Sequence, residues 1–273
     1  MSDTNQAQYK PVTANGVNFF CQVRGKGPAL LLIPSICGDS GPFDVFAEKL
    51  ADQFQVITYD LRGHSRTSTP EGWHQTSMTE MADDAAALLK ELGIKSAAVF
   101  GTGVGALITL ELMQKYPKLV RKAILQDPLI YSVLENGPSK QVAWDVGTLL
   151  RSTFFKQGHQ AAINALMRWE YGFEALYAIP AQMLQRLMSN SEVFVMTDFP
   201  AYTYYKPDPA KLAEIKTPTT LLFSTGTPAW RREMATWLGE RMQVTPKPFL
   251  SEHAPYFMHP IETAEALRMY LGK

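Results

Sequence analysis

Apolar and polar positions divide the chain into short buried runs and longer amphipathic stretches. PALLLIPSI (28–36) and FQVITYDLRG (54–63) carry continuous apolar runs of strand length, as strands covered on both faces require. KSAAVFG (95–101), VRKAILQDP (120–128), TPTTLLFSTG (217–226) and QVTPKPFL (243–250) read the same way, and VNFFCQVRG (17–25) alternates as one more strand. Between them lie helical patterns: GPFDVFAEKLADQ (41–53), TSMTEMADDAAALLKELG (76–93), VGALITLELMQKYP (104–117), AWRREMATWLGERM (229–242) and PIETAEALRMYLGK (260–273). The second of these has Thr76 or Thr79 as its expected cap, acids in its first turns and Gly93 at its end. Strands and helices alternating at this rhythm predict βαβ units and a mostly parallel, doubly wound sheet.

The rhythm breaks after Pro128. AWDVGTLLRSTFF, HQAAINALMRWEYGFEALYA and AQMLQRLMSN are helical, with no buried strand among them. This predicts a helical cap over 130–206 inserted into a core formed by 1–129 and 207–273. The cap is rich in Met and aromatic residues, among them Trp144, Trp169, Phe194, Phe199, Tyr202 and Tyr204. Such side chains pack cap against core, or in part line an apolar pocket. Leu129, Phe194 and Tyr202 are the candidates for that lining.

Composition narrows the function. Apolar residues make up 46% of the 273 positions, enough for a large core. Basic and acidic residues balance at 26 each, which argues against a nucleic-acid or anionic-membrane partner. Two cysteines, Cys21 and Cys37, give no disulfide framework, and the five histidines show no metal-ligand spacing. The N-terminal MSDTNQAQYKP has no apolar signal core, so a cytoplasmic setting is expected. No metal or organic cofactor is expected, and a homodimer is left open.

Three positions fall at C-terminal ends of the expected parallel strands, where open α/β sheets bind ligands. They are Gly103 in FGTGVGA, Asp127 in ILQDP and His253 in SEHAPYFMHP. The order turn, acid, base is that of a nucleophile–acid–histidine triad, in which the acid orients an imidazole that takes the nucleophile's proton. The G-x-S-x-G frame is present at Gly101 and Gly105, but its centre is Gly103, which has nothing to attack with. GTGVG also falls short of the dinucleotide fingerprint, since Ala106 stands where the third glycine would be. Ser35, Thr102 and Cys37 are the other hydroxyl and thiol groups nearby, and each is a weaker candidate for a displaced nucleophile. The loop after TPTTLLF, STGTPAW, has no carboxylate, and this favours Asp127 as the acid.

From about residue 15 onward the chain resembles the α/β-hydrolase superfamily, on the Gly101–Gly105 frame, YDLRGHSRT and HAPYFMHP. Within it the chain is similar to the zearalenone-lactonase group, with Pro34 opening the oxyanion loop, Asp127 after the strand that follows the elbow, and the segment His253, Pro255, Tyr256, His259, Pro260. The resemblance implies a serine nucleophile where Gly103 stands, Asp127 as acid and His253 as base. It also implies backbone amides of Ile36 and Val104 as the oxyanion hole, and Ser35 at the ligand. His259 reads as structural. The implied activity is hydrolysis of an ester or lactone in an apolar, resorcylic macrolactone.

The glycine leaves three readings open. One is a hydrolase whose serine was replaced, so that it traps intact substrate. Another is a natural non-catalytic protein, as the glycine-rich elbow shared with the N-myc downstream-regulated proteins suggests. The third is a lyase or cofactor-free oxygenase that uses the His–Asp pair as a base.

Overall fold

The computed structural model describes residues 6–250 and 254–272. The VNFFCQVRG pattern forms two strands, not one. β1 (Gln8–Tyr9), β2 (Val12–Ala14), β3 (Val17–Phe19) and β4 (Cys21–Arg24) open the chain. β2 and β3 make a hairpin whose turn residues, Asn15 and Gly16, both have positive φ. The Phe20 amide leaves the ladder and donates to Thr67 Oγ1 at 3.0 Å. β4 then joins the main sheet.

That sheet continues with β5 (Ala29–Ile33), β6 (Gln55–Tyr59), β7 (Ala97–Thr102), β8 (Val120–Gln126), β9 (Thr219–Ser224) and β10 (Lys247–Phe249). Its order is β1-β4-β6-β5-β7-β8-β9-β10. β1 and β4 are antiparallel to their neighbours, and β5 to β10 pair in parallel. All residues of β5 and β7 are buried, which is why these segments read as continuous apolar runs.

Helices cover both faces. α1 (Asp44–Leu50), α2 (Met78–Glu91) and α3 (Val104–Lys115) follow the first strands; α10 (Ala229–Met242), α11 (Pro255–Met258) and α12 (Pro260–Leu271) close the chain. Leu30, Leu32, Val56, Ala98 and Phe100 face a core with α1 and α12. Leu31, Ile33, Ile57, Val99 and Leu125 face the opposite core with α2, α3 and α10. Each such leucine contributes roughly 1.5–3 kcal/mol by its burial. α2 is capped by Ser77, whose hydroxyl accepts the Glu80 amide at 3.0 Å; neither Thr76 nor Thr79 is its cap.

Between β8 and β9 the described residues form helices only. They are a 3₁₀ turn at Tyr131–Asn136, then α4 (Lys140–Gln157), α5 (His159–Ala178), α6 (Ala181–Ser189), α7 (Ser191–Val193), a π turn at Phe194–Asp198, α8 (Phe199–Thr203) and α9 (Pro209–Glu214). Gly172, at φ 78°, kinks α5. No helix of the described residues is long and apolar enough to cross a membrane.

Candidate active site

β5 and β7 are adjacent, but the chain leaves β5 toward β6 and returns at β7, so their C-terminal ends border the crevice where the winding reverses. Gly103 sits there, between β7 and α3, with φ 55° and ψ −114°. This is the strained turn of a nucleophile elbow. The flanking glycines serve close approach. A Cβ at Gly101 would overlap Gly105 O and Thr109 Oγ1, and one at Gly105 would overlap the carbonyls of Ile33 and Pro34. The turn therefore has the close-packed backbone of such an elbow, with Gly103 at its centre.

Asp127 follows β8 directly. Its amide donates to Leu222 O at 3.0 Å, and its φ of 46° turns the side chain back across the sheet edge. The buried carboxylate accepts the Ser224 amide at 2.9 Å, the Ser224 hydroxyl at 2.6 Å and Gln126 Nε2 at 2.9 Å. Asp127 is held by the end of β9 and is not a helix cap. His253 lies outside the described residues.

The loop 34–41 crosses above the elbow. Val104 opens α3, and its amide donates to Ser35 Oγ at 3.4 Å. Ser35, Ile36 and Phe43 form the floor of a narrow cleft of about 50 Å³. Met167, Leu176, Ile179, Met183 and Leu187 form its roof, and Tyr256 and Phe257 one wall. The cleft is tight, and its walls are almost wholly apolar. At the elbow the cleft wall is Ser35, which covers the buried Gly103.

Asp39 is the charged residue in this lining. Burial alone would raise its carboxyl, but hydrogen bonds from Arg186, Ser65 and the Gly41 amide outweigh that and hold it below its ordinary value. Arg186 Nε reaches it at 2.9 Å from α6, so the roof is tied to the floor loop. Asn190 adds bonds to Cys37 O and the Ser65 amide, both at 2.7 Å. His64 Nε2 lies 3.0 Å from Asp198 Oδ2, and its Nδ1 lies 2.8 Å from Arg62 O. Burial would lower the His64 pKa; Asp198 and the carbonyl raise it overall, as both acceptors favour a doubly protonated ring. A fourth tie is buried: Glu170 of α5 accepts both Tyr131 Oη and Arg231 Nη2.

The expected residues distribute unevenly. Ser35 and Ile36 border the cleft. Leu129 is buried beside the elbow. Phe194 and Tyr202 pack instead into an aromatic cluster with Tyr131 and Phe199, ring centroids 5.4–6.3 Å apart. Thr102 is buried and bonds the Tyr256 phenol, whose pKa burial pushes up. Burial likewise raises the Cys37 thiol far above its ordinary value, away from the thiolate that a nucleophile needs. His259 caps α12, its carbonyl accepting Thr263 Oγ1 at 2.6 Å. The YDLRGHS segment is structural: Asp60 accepts Ser40 and Arg66, and Arg62 grips Asp84 through two bonds of 2.6 Å. Reading the sequence missed Asp39, Arg186 and Ser224, because a loop, a helix and a strand end far apart in the chain meet their partners there.

A mostly parallel sheet of this winding, with a tight strand–turn–helix elbow after β7, defines an α/β-hydrolase fold. The family model described as alpha/beta hydrolase fold matches residues 28–225, and the chain belongs to that family. The hydrolase YraK of Bacillus subtilis is 29% identical over 263 residues, 94% of each chain. A zearalenone hydrolase of Cladophialophora bantiana is 26% identical over 179 residues, 59% of this chain and 68% of that one. Among solved structures, the enol-lactonase of Burkholderia xenovorans LB400 superposes with a TM-score of 0.77 over 97% of this chain and all of its own, at 18% identity, a likeness of fold.

Proposed function

We propose that the chain binds a neutral, apolar ester or lactone, of the resorcylic macrolactone kind, at a hydrolase site whose covalent step is closed by Gly103. A serine at position 103 would attack the carbonyl carbon. His253 would take its proton and return it to the leaving oxygen, and Asp127 would hold the imidazole. The Ile36 and Val104 amides would receive the oxyanion. Without the attacking oxygen, hydrolysis should be slower by roughly a millionfold.

The observation that carries this reading is the elbow itself: Gly103 keeps the φ and ψ of the nucleophile turn at the head of α3. The donors gathered on Asp127, the apolar cleft and the similarity to a zearalenone hydrolase support it. A second reading, a binding protein of this fold with no catalytic past, draws on Ser35 covering Gly103.

The test incubates the native chain with zearalenone. Calorimetry should give saturable binding, and mass spectrometry no ring-opened acid beyond the uncatalysed amount. Absence of binding, or turnover at an ordinary enzymatic rate of about 1 s⁻¹ or more, would overturn the reading.

A further inference from the structure

We infer that Ser35 and Gly103 are a matched pair, in which the Ser35 side chain fills the place of the missing nucleophile, so that two residues close this site and not the glycine alone. The inference rests on position 103 being the nucleophile position.

A Cβ built on Gly103 would overlap Ser35 Oγ, stand 3.1 Å from Ser35 Cβ and 3.4 Å from Leu129 Cδ1. The hydroxyl can rotate away from such a Cβ, but the Ser35 Cβ cannot, so the loop itself must yield by a few tenths of an ångström. Ser35 also accepts the Val104 amide, one of the two amides assigned to an oxyanion. With its oxygen occupied as acceptor, Ser35 keeps its own proton to donate into the cleft. A ligand carbonyl at the floor therefore meets the Ser35 hydroxyl, backed by the first amide of α3, and not the bare amide. Putting serine back at 103 alone would crowd its Cβ against the Ser35 Cβ at 3.1 Å and turn the Ser35 hydroxyl away.

Four chains test this: native, Ser35→Ala, Gly103→Ser and the double variant. Each is treated with a fluorophosphonate ester, and the label is located by peptide mass spectrometry. In that reaction the serine oxygen bonds to phosphorus, fluoride leaves with its bonding pair, and the hydroxyl proton passes to the base. Misplacement of a reacting group by about 1 Å costs roughly 100-fold and a few tenths proportionally less, so the double variant should label at residue 103 about 3–10 times faster than Gly103→Ser. Equal rates would overturn the pairing and leave residue 103 as the nucleophile position. Label on Ser35 of the native chain would also overturn it, because Ser35 would then be a nucleophile itself.

If neither serine variant labels at 103, the nucleophile assignment fails, and urea unfolding of the four chains decides the pairing separately. A coupling that changes the unfolding equilibrium about 10-fold, within the range for residues in contact, upholds it, and additive effects overturn it.

Discussion

Gly103 and Asp127 both hold left-handed backbone at the ends of adjacent strands, φ 55° and 46°. For a residue with a Cβ such a conformation costs about 1–3 kcal/mol. Gly103→Ala should therefore lose at least that much stability in urea unfolding, and an unchanged midpoint would show that the turn relaxes freely. Asp127 tolerates the strain because its carboxylate gathers several donors, among them the Ser224 amide and hydroxyl and Gln126 Nε2. Asp127→Asn turns one acceptor into a donor facing the Ser224 amide or hydroxyl. A loss of about 1–3 kcal/mol is expected from the donor left without an acceptor. In a chain made active through position 103, the same change should lower kcat by roughly 10⁴-fold with KM little altered, as expected of an acid that fixes a tautomer. A proportional rise in KM instead would place Asp127 in binding. Both positions were legible in the sequence, because a glycine frame and an acid before proline mark strand ends. Ser224 was not, since nothing in STGTPAW announces a partner 97 residues away.

At the scale of elements, β5 to β10 and the long helices follow the hydrophobic pattern closely, while ends and breaks do not. One alternating run became β3 and β4 because Phe20 finds Thr67, a contact invisible to periodicity. The ties between the helical segment and the floor loop were equally hidden, as each joins residues more than 100 apart: Asp39 to Arg186, Ser65 to Asn190, His64 to Asp198. The last has a consequence for pH. The folded state raises the His64 pKa, so it binds the proton more tightly than the unfolded chain does. The stabilisation is fully present below the unfolded value, about 6.5, and is lost as pH rises through the folded value. Thermal unfolding of the native chain should thus lose ground to His64→Gln as pH rises across that window. Parallel curves would mean that the ring is neutral in the fold.

For the molecule as a whole, the cleft has its floor in the sheet domain and its roof in the helices between β8 and β9. Buried ties cross between the two, including Glu170 with Arg231, a pair whose one-sided removal costs about 3–5 kcal/mol. Roof and floor should therefore unfold together, in one calorimetric transition. A ligand seated between them adds RT ln(1 + [L]/Kd) to that single transition, about 2.7 kcal/mol at a hundredfold excess over Kd. For a chain of this size that is a rise of roughly 5 °C in Tm. Charge then separates substrate from product. The cleft walls are apolar, and the charged lining residue, Asp39, already has its oxygens committed to Gly41, Ser65 and Arg186. A neutral macrolactone loses little by entering, whereas its ring-opened carboxylate must shed water with no free cation in the described lining to meet it. Zearalenone should thus raise Tm by several degrees and the ring-opened acid by much less at the same concentration. Two separate transitions, or equal shifts from both compounds, would mean that the space between roof and floor is not where the ligand binds.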